Sequence, residues 1–420
     1  MKNILIISET FSKGGAGNAS KNVFNFFRKN SVAKILIPFH SGEHDKNILS
    51  YYNYLSICYF YFIKSIIRFI SYLLSNNKYF FFNNIFRFSL FSARKIKRII
   101  NDFHPDYVII LWYECILNYE EILKIKKELN TKIIIYPFDM YSFTGGCRYV
   151  QSCDKFKKEC IKCPAIILKN TANHNYLSNK NYLKKIDPII LYPSQYALEF
   201  SEATNILQKS IKKFIFYYPL NEINKKNYIS SSKINDLIYN KKKKEKLDKV
   251  VFFGAQDPRE WRKGLFNLKN IIETFKAKYP DTFYKTLFIF PGNYSGNIFN
   301  NIDNNFITLG FIEHSEILEL YKISDIIIIP SLQEWSSLML LEAVILDKVI
   351  FCFNTGSARD FIVNEINGNI FEPFDYNDFH YHFYKYLTKK KNKVKVIDNQ
   401  STKKKILDSH KKIISYLQKN

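Results

Sequence analysis

Two glutamates eight residues apart, Glu334 and Glu342, follow the apolar run DIIIIPS at 325–331. Between them, Ser336 and Ser337 can cap a helix that opens there, and Glu342 then falls inside that helix near its start. Open parallel sheets bind ligands outside the carboxyl ends of their strands, which is where Glu334 stands. The free amides of a first helical turn can receive a phosphate, and the helix field adds about 0.3–1 kcal/mol. A charge-assisted hydrogen bond from a cation adds about 1.5–3 kcal/mol. A diphosphate ligand therefore needs basic side chains besides the helix. Spacing alone is weak, since two glutamates so placed also suit ordinary polar positions around a core helix.

A second constellation is Lys13-Gly14-Gly15-Ala16-Gly17, between the first apolar run and the amphipathic NASKNVFNFF. Glycines there let backbone approach a ligand, and the helix that follows favours anions. This is not the dinucleotide fingerprint GxGxxG, and a tight strand–helix turn without a ligand fits as well. A third is Cys147, Cys153, Cys160 and Cys163, four thiols within seventeen residues. They suit a structural zinc knuckle, free thiols or disulfides, and the sequence leaves the three open.

These residues are positioned by short apolar runs bounded by turn residues. The runs fall at 4–8, 34–39, 106–112, 132–138, 188–194 and 214–219, then at 250–254, 286–292, 306–311, 325–331 and 348–354. Continuous rather than alternating apolar runs predict strands buried on both faces, hence parallel sheets. Amphipathic segments between them, such as 118–129 and 316–324, predict helices and an α/β fold of two doubly wound domains. The expected boundaries are 1–217 for the first domain, 218–375 for the second and 376–420 for a helical tail. The join is expected near 218–250, where SSSK and KKKKEK mark solvated chain.

The chain has 420 residues and a formal net charge of +24, with 17% aromatic residues, which excludes a disordered chain. The basic excess suits an anionic surface, although a lysine-rich composition also arises without a partner. Residues 51–100 interleave aromatics with Lys64, Arg68, Lys78, Arg87, Arg94, Lys95, Lys97 and Arg98. That stretch reads as core helix, as an interfacial membrane surface or as a stacking surface for single strands. No nucleic-acid motif accompanies it, so no nucleic-acid partner is expected. No run of 18 apolar residues predicts a membrane span, and no export signal is visible. Seven cysteines suit a reducing compartment, and a cytoplasmic location is expected.

The ordered motifs carry a resemblance. DIIIIPS, Glu334, Glu342-Ala343, KVIF, Thr355-Gly356 and Asn367-Gly368 occur in the order that marks the second domain of retaining GT-B glycosyltransferases of family four. LGFIEHSEILELYKISD at 309–325 resembles the segment that precedes that motif. In the first half, Asp139-Met140-Tyr141-Ser142-Phe143-Thr144-Gly145-Gly146-Cys147-Arg148-Tyr149, with Cys163-Pro164, resembles a branch that makes colanic acid and related polysaccharides. The resemblance implies GT-B architecture, with two Rossmann-like domains facing across a cleft.

It further implies that Glu342 holds the donor ribose and that Glu334 contacts the transferred sugar. Amides around Ser336, Ser337 and Leu338 would bind the diphosphate together with Arg262 and Lys263, and Gly15, Ala16 and Gly17 would line the donor side. Glu334, Asp139 and Lys263 are the implied catalytic residues. The family's arginine after a glycine is absent from Gly254-Ala255, so Arg262 or Arg259 would replace it. Phe138 stands where relatives carry histidine, and Leu111 likewise before Trp112. The implied activity is transfer of a hexose from a nucleotide sugar to a lipid-linked glycan for lipopolysaccharide, capsule or exopolysaccharide, at the inner face of a membrane. No cofactor is required for catalysis, and a structural zinc stays one of the three states open to the cysteines. Rival readings are a GT-B epimerase or phosphorylase, and a degenerate family member that only binds glycan or nucleic acid.

Overall fold

The computed structural model describes residues 1–12, 14–40, 45–220, 232–254, 260–291, 305–310, 312–389 and 400–420. The chain divides into two units, Met1–Asn221 with Ile406–Asn420, and Glu222–Lys405.

In unit 1 the strands are β1 (Asn3–Ile7), β2 (Val32–Ile37), β3 (Ile48–Ser50), β4 (Tyr107–Ile110), β5 (Lys132–Ile135), β6 (Ile189–Tyr192) and β7 (Lys213–Ile215). The helices are α1 (Gly14–Asn30), α2 (Tyr54–Leu73), α3 (Ala93–Ile100), α4 (Tyr119–Glu128), α5 (Lys169–Ile186) and α6 (Gln195–Glu202). The sheet runs β3-β2-β1-β4-β5-β6-β7, with every pairing parallel. β4 and β6 are buried at every position, as the continuous apolar runs require.

Unit 2 repeats the scheme with β8 (Lys249–Phe253), β9 (Thr286–Pro291), β10 (Phe306–Gly310), β11 (Ile326–Ile329), β12 (Val349–Phe353) and β13 (Gly368–Phe371). Its helices are α7 (Ser232–Lys244), α8 (Leu265–Lys278), α9 (Pro280–Tyr284), α10 (His314–Ile323), α11 (Leu338–Ile345), α12 (Ala358–Phe361) and α13 (Tyr376–Thr388). The order is β10-β9-β8-β11-β12-β13, again all parallel. Each sheet reverses its winding once, beside β1 and β4 in unit 1 and beside β8 and β11 in unit 2. Such switch points open a crevice at the carboxyl ends of the strands.

Three expectations change. The run at 241–246 is not linker: α7 carries it to Lys244, and the Lys241 ammonium reaches the Phe306 carbonyl at 3.1 Å. The segment 376–420 is not one tail. α13 packs Phe379 and Phe383 into the core of unit 2, whereas α14 (Gln400–Lys419) from Ile406 onward belongs to unit 1. There His410 bonds the Tyr217 carbonyl at 2.9 Å and lies against Phe26 and Phe216.

The third is α2. It buries only the stripe Ile57, Phe60, Ile67 and Ser71. On that side Lys64 pairs with Glu9 at 2.5 Å and Arg68 with Glu9 at 3.6 Å. Leu55, Tyr59, Phe62, Phe69 and Tyr72 are each more than half exposed, so α2 is not a core helix. By length and composition alone it is also apolar enough to cross a membrane, contrary to the expectation from the sequence. Arg87 leaves the basic set: it is buried, with its guanidinium 4.4 Å from the Tyr141 ring.

Candidate active site

The crevice beside β8 and β11 gathers the motif residues of unit 2. The chain leaves β11 through Pro330 and Ser331 and brings Glu334 into a buried position. The Glu334 carboxylate accepts from Lys263 and from Ser331 at 3.0 Å, and Arg262 lies 3.3 Å away. Arg262 is also paired with Glu260 at 2.6 Å. Burial by itself would raise the Glu334 pKa, but Lys263 and Arg262 outweigh it and hold the carboxyl below its ordinary range. Burial, then Arg262, pull the Lys263 pKa down against the attraction of Glu334.

Local backbone fixes this cluster. Lys263 ends a short 3-10 turn, and Gly264 follows at φ +68°. A Cβ there would stand 1.7 Å from the Pro330 carbonyl oxygen, so only glycine lets the basic turn lie against the strand end. The Arg262 carbonyl accepts from the Leu332 amide at 2.7 Å, tying the two loops together. The Glu334 amide donates to Thr355 at 3.0 Å, which brings the Thr355-Gly356 motif under the same carboxylate.

Ser337 caps α11, its hydroxyl accepting from the Leu340 amide at 3.3 Å. The Ser336 hydroxyl donates to that of Ser357 at 3.4 Å. Leu338 opens the helix, where amides lack helical acceptors. Glu342 is buried one turn further on, and its Oε1 lies 2.7 Å from His314 Nε2 at the start of α10. This hydrogen bond raises the His314 pKa. His314, Ser331 and Thr355 are members of the cluster that the sequence reading did not assign, although His314 lay inside the quoted segment 309–325. Arg259 and Ala255 lie outside the described residues.

In unit 1 the switch point holds a second charged group. α1 begins at Gly14, so Gly15, Ala16 and Gly17 form its first turn rather than a preceding loop. Gly17 is packed under the strand end: a Cβ would lie 3.1 Å from the Ser12 amide nitrogen, and its carbonyl accepts that amide at 2.9 Å. Gly15 faces open space.

Asp139 is buried and fully engaged, with Oδ2 2.7 Å from Arg148 Nε and Oδ1 accepting from the Tyr141 amide at 3.0 Å. Arg148 also stacks 4.0 Å over Trp112 and lies 3.8 Å from Glu114. Burial, reinforced by Asp139 and opposed by Arg148, pushes the Glu114 carboxyl up to about 7. Phe138 joins Trp112, Tyr136 and Tyr218 in an aromatic cluster, and Leu111 is core.

The cysteine cluster gives the zinc reading no support. Among the described residues no three histidine, cysteine or acidic side chains come together closely enough to hold a metal ion. All four thiols are free, Cys160 accepts from the Gly145 amide at 3.2 Å, and burial raises each thiol pKa, that of Cys160 to about 12.

Comparison with known proteins follows the same division. Residues 235–404 match the family model "Glycosyl transferases group 1", which covers most of unit 2. No curated protein sequence matches the chain. Among solved structures, HepE of Anabaena in complex with UDP and glucose is 13% identical over all of both chains, with a TM-score of 0.61. Sucrose-phosphate synthase of Thermosynechococcus elongatus is 11% identical over 100% of this chain and 98% of its own, at 0.63. An α,α-trehalose-phosphate synthase (UDP-forming) of Burkholderia xenovorans, in complex with glucose-6-phosphate, is 11% identical over 98% and 97%, at 0.59. The chain thus has a GT-B α/β fold, and its likeness to the glycosyl transferases group 1 model is confined to residues 235–404.

Proposed function

We infer that the chain is a retaining glycosyltransferase of family four that moves a hexose from a nucleotide sugar to a lipid-linked glycan in lipopolysaccharide, capsule or exopolysaccharide synthesis. The observation that carries this reading is the buried Glu334–Lys263–Arg262 cluster at the unit 2 switch point. Two cations beside the start of a helix suit a departing diphosphate, which is where charge develops in such a transfer. The bond from the sugar C1 to the phosphate oxygen breaks, and the bond from C1 to the acceptor oxygen forms. The acceptor proton passes to the departing phosphate. Glu342 would hold the ribose hydroxyls and Glu334 the transferred sugar. HepE, solved with UDP and glucose, supports the nucleotide-sugar part.

The exposed apolar face of α2 supports work at a bilayer, where a lipid-linked acceptor must be met, and hence a location on the inner face of the membrane. One observation favours a reading without catalysis: Phe138 offers no hydrogen bond where relatives carry histidine.

The test is incubation with UDP-, GDP- and other nucleotide sugars and with lipid-linked acceptors, followed by product analysis. Transfer with retained anomeric configuration is expected. Release of the free sugar alone, or no turnover of any donor, overturns the assignment.

A further inference from the structure

A cavity of about 560 Å³ lies within unit 1, between the start of α4, one face of α5 and the turn at Phe86–Arg87. Its size falls within the roughly 300–1,000 Å³ of small-ligand sites. None of its lining residues belongs to the clusters around Glu334, Asp139, Gly15 or the four cysteines.

Its chemistry is unusual for this chain. Five of the eighteen residues of α5 are asparagine, a poor helix former. Three of them, Asn170, Asn175 and Asn179, line the cavity with Thr171 and Ser178. Local propensity is set aside along one helical face, as happens where side chains serve a site. The wall is also close to neutral although the chain carries +24: no lysine lines it, and Arg87 is balanced by Glu120. The Arg87 guanidinium is turned toward the Tyr141 and Thr144 carbonyls and the Tyr141 ring.

Behind the wall, closed to solvent, Asn179 Nδ2 and Arg87 Nε have no hydrogen-bond partner among the described residues. Asn175, by contrast, is spent on the Ile85 carbonyl at 2.7 Å. Amides and hydroxyls both donate and accept, which matches sugar hydroxyls, and no lysine lines the wall to draw an anion. Phe86, which is exposed, and Tyr182 add apolar ring faces of the kind that pack against the C–H face of a pyranose.

We propose that this cavity is a binding groove for a neutral oligosaccharide, holding a segment of glycan on unit 1. It rests on the proposed function for its role, which would be to retain a growing acceptor chain. Saturation-transfer NMR and calorimetry on the full chain, with maltohexaose, cellohexaose and mannohexaose, test it. Trigalacturonate and inorganic phosphate serve as anionic controls.

At least one neutral hexasaccharide should bind with a millimolar or lower Kd. Ser178→Trp, which fills the groove, should weaken it at least tenfold. Asn170→Trp at the exposed rim should do the same if Ser178→Trp fails to fold. UDP binding by thermal shift should be unchanged in both variants. Silence of all three neutral sugars, binding unaffected by both variants, or preference for the anionic controls overturns the groove. A chain that binds a hexasaccharide but no nucleotide sugar keeps the groove and loses the glycosyltransferase reading.

Discussion

His314 Nε2 stands 2.7 Å from Glu342 Oε1, so the buried carboxylate of α11 is paired across the crevice wall with an imidazole of α10. The histidine side chain itself is half exposed. Its pKa is raised by that bond, so the stabilisation is full below about 6.5, the unfolded value, and is lost as pH rises through the higher folded value. The melting temperature of the wild type should exceed that of His314→Gln at pH 5.5, with the gap shrinking toward pH 8.5. Melts across that range decide, and a gap independent of pH refutes the pairing.

The two glutamates should separate kinetically. Glu342→Ala should raise the donor KM more than it lowers kcat, whereas Glu334→Gln should mainly lower kcat. Lys263→Ala should cost about 1.5–3 kcal/mol in transition-state stabilisation, roughly ten- to a hundredfold in kcat/KM. Steady-state kinetics with a donor that turns over, on variants with native circular dichroism, provide the check. Equal behaviour of all three variants and wild type sinks the site.

Glu114 gives a pH effect of the same sign, but here the ionised group is the unfavourable one and its removal should stabilise. A carboxyl raised from 4.5 to about 7 by burial favours the fold at low pH, and stability falls as pH rises from about 4.5 to about 7. The shift is worth on the order of 3 kcal/mol. Glu114→Gln should therefore melt higher than wild type at pH 8, and the advantage should vanish near pH 4.5. Calorimetry at the two pH values is sufficient.

For the membrane, the exposed face of α2 and not Arg87 is the place to look. Tyr59→Ser, Phe62→Ser and Phe69→Ser together should reduce sedimentation with anionic liposomes severalfold, since all three side chains are more than half exposed. Neutralising Arg94, Lys95, Lys97 and Arg98 should reduce the preference for anionic over neutral lipid, each charge being worth about 1 kcal/mol near the surface. Binding indifferent to both sets would leave α2 without a lipid partner.

The eleven apolar runs read from the sequence all overlap strands, most of them because a strand buried on both faces has no polar alternation to hide it, whereas β7 and β10 are only partly buried. β3 and β13 escaped, since ILS and GNIF are short edge strands without a continuous apolar run. The motif around Glu334 and Glu342 was legible because local order fixes it: strand end, cap and helix follow one another in sequence. His314 was not assigned because its role arises only when α10 is laid beside α11, and no spacing encodes that. The exposure of α2 was equally hidden, since an apolar helix reads alike whether its second face meets core or solvent. Asp139 and Arg148 were both in the quoted stretch, but nine residues of separation gave no sign that they pair.

The passage of α14 from unit 2 into unit 1 has a temporal meaning. Unit 1 is begun first by the ribosome yet completed last, because Ile406, Ile413 and Leu417 bury themselves there only after all of unit 2 has been made. At ~5–20 residues per second that interval is on the order of ten to forty seconds. For that time the rings of Phe26 and Phe216 await His410, and Phe214 awaits Tyr416. The nascent first unit thus spends its early life with an uncovered apolar flank, which closes only once α14 has been made.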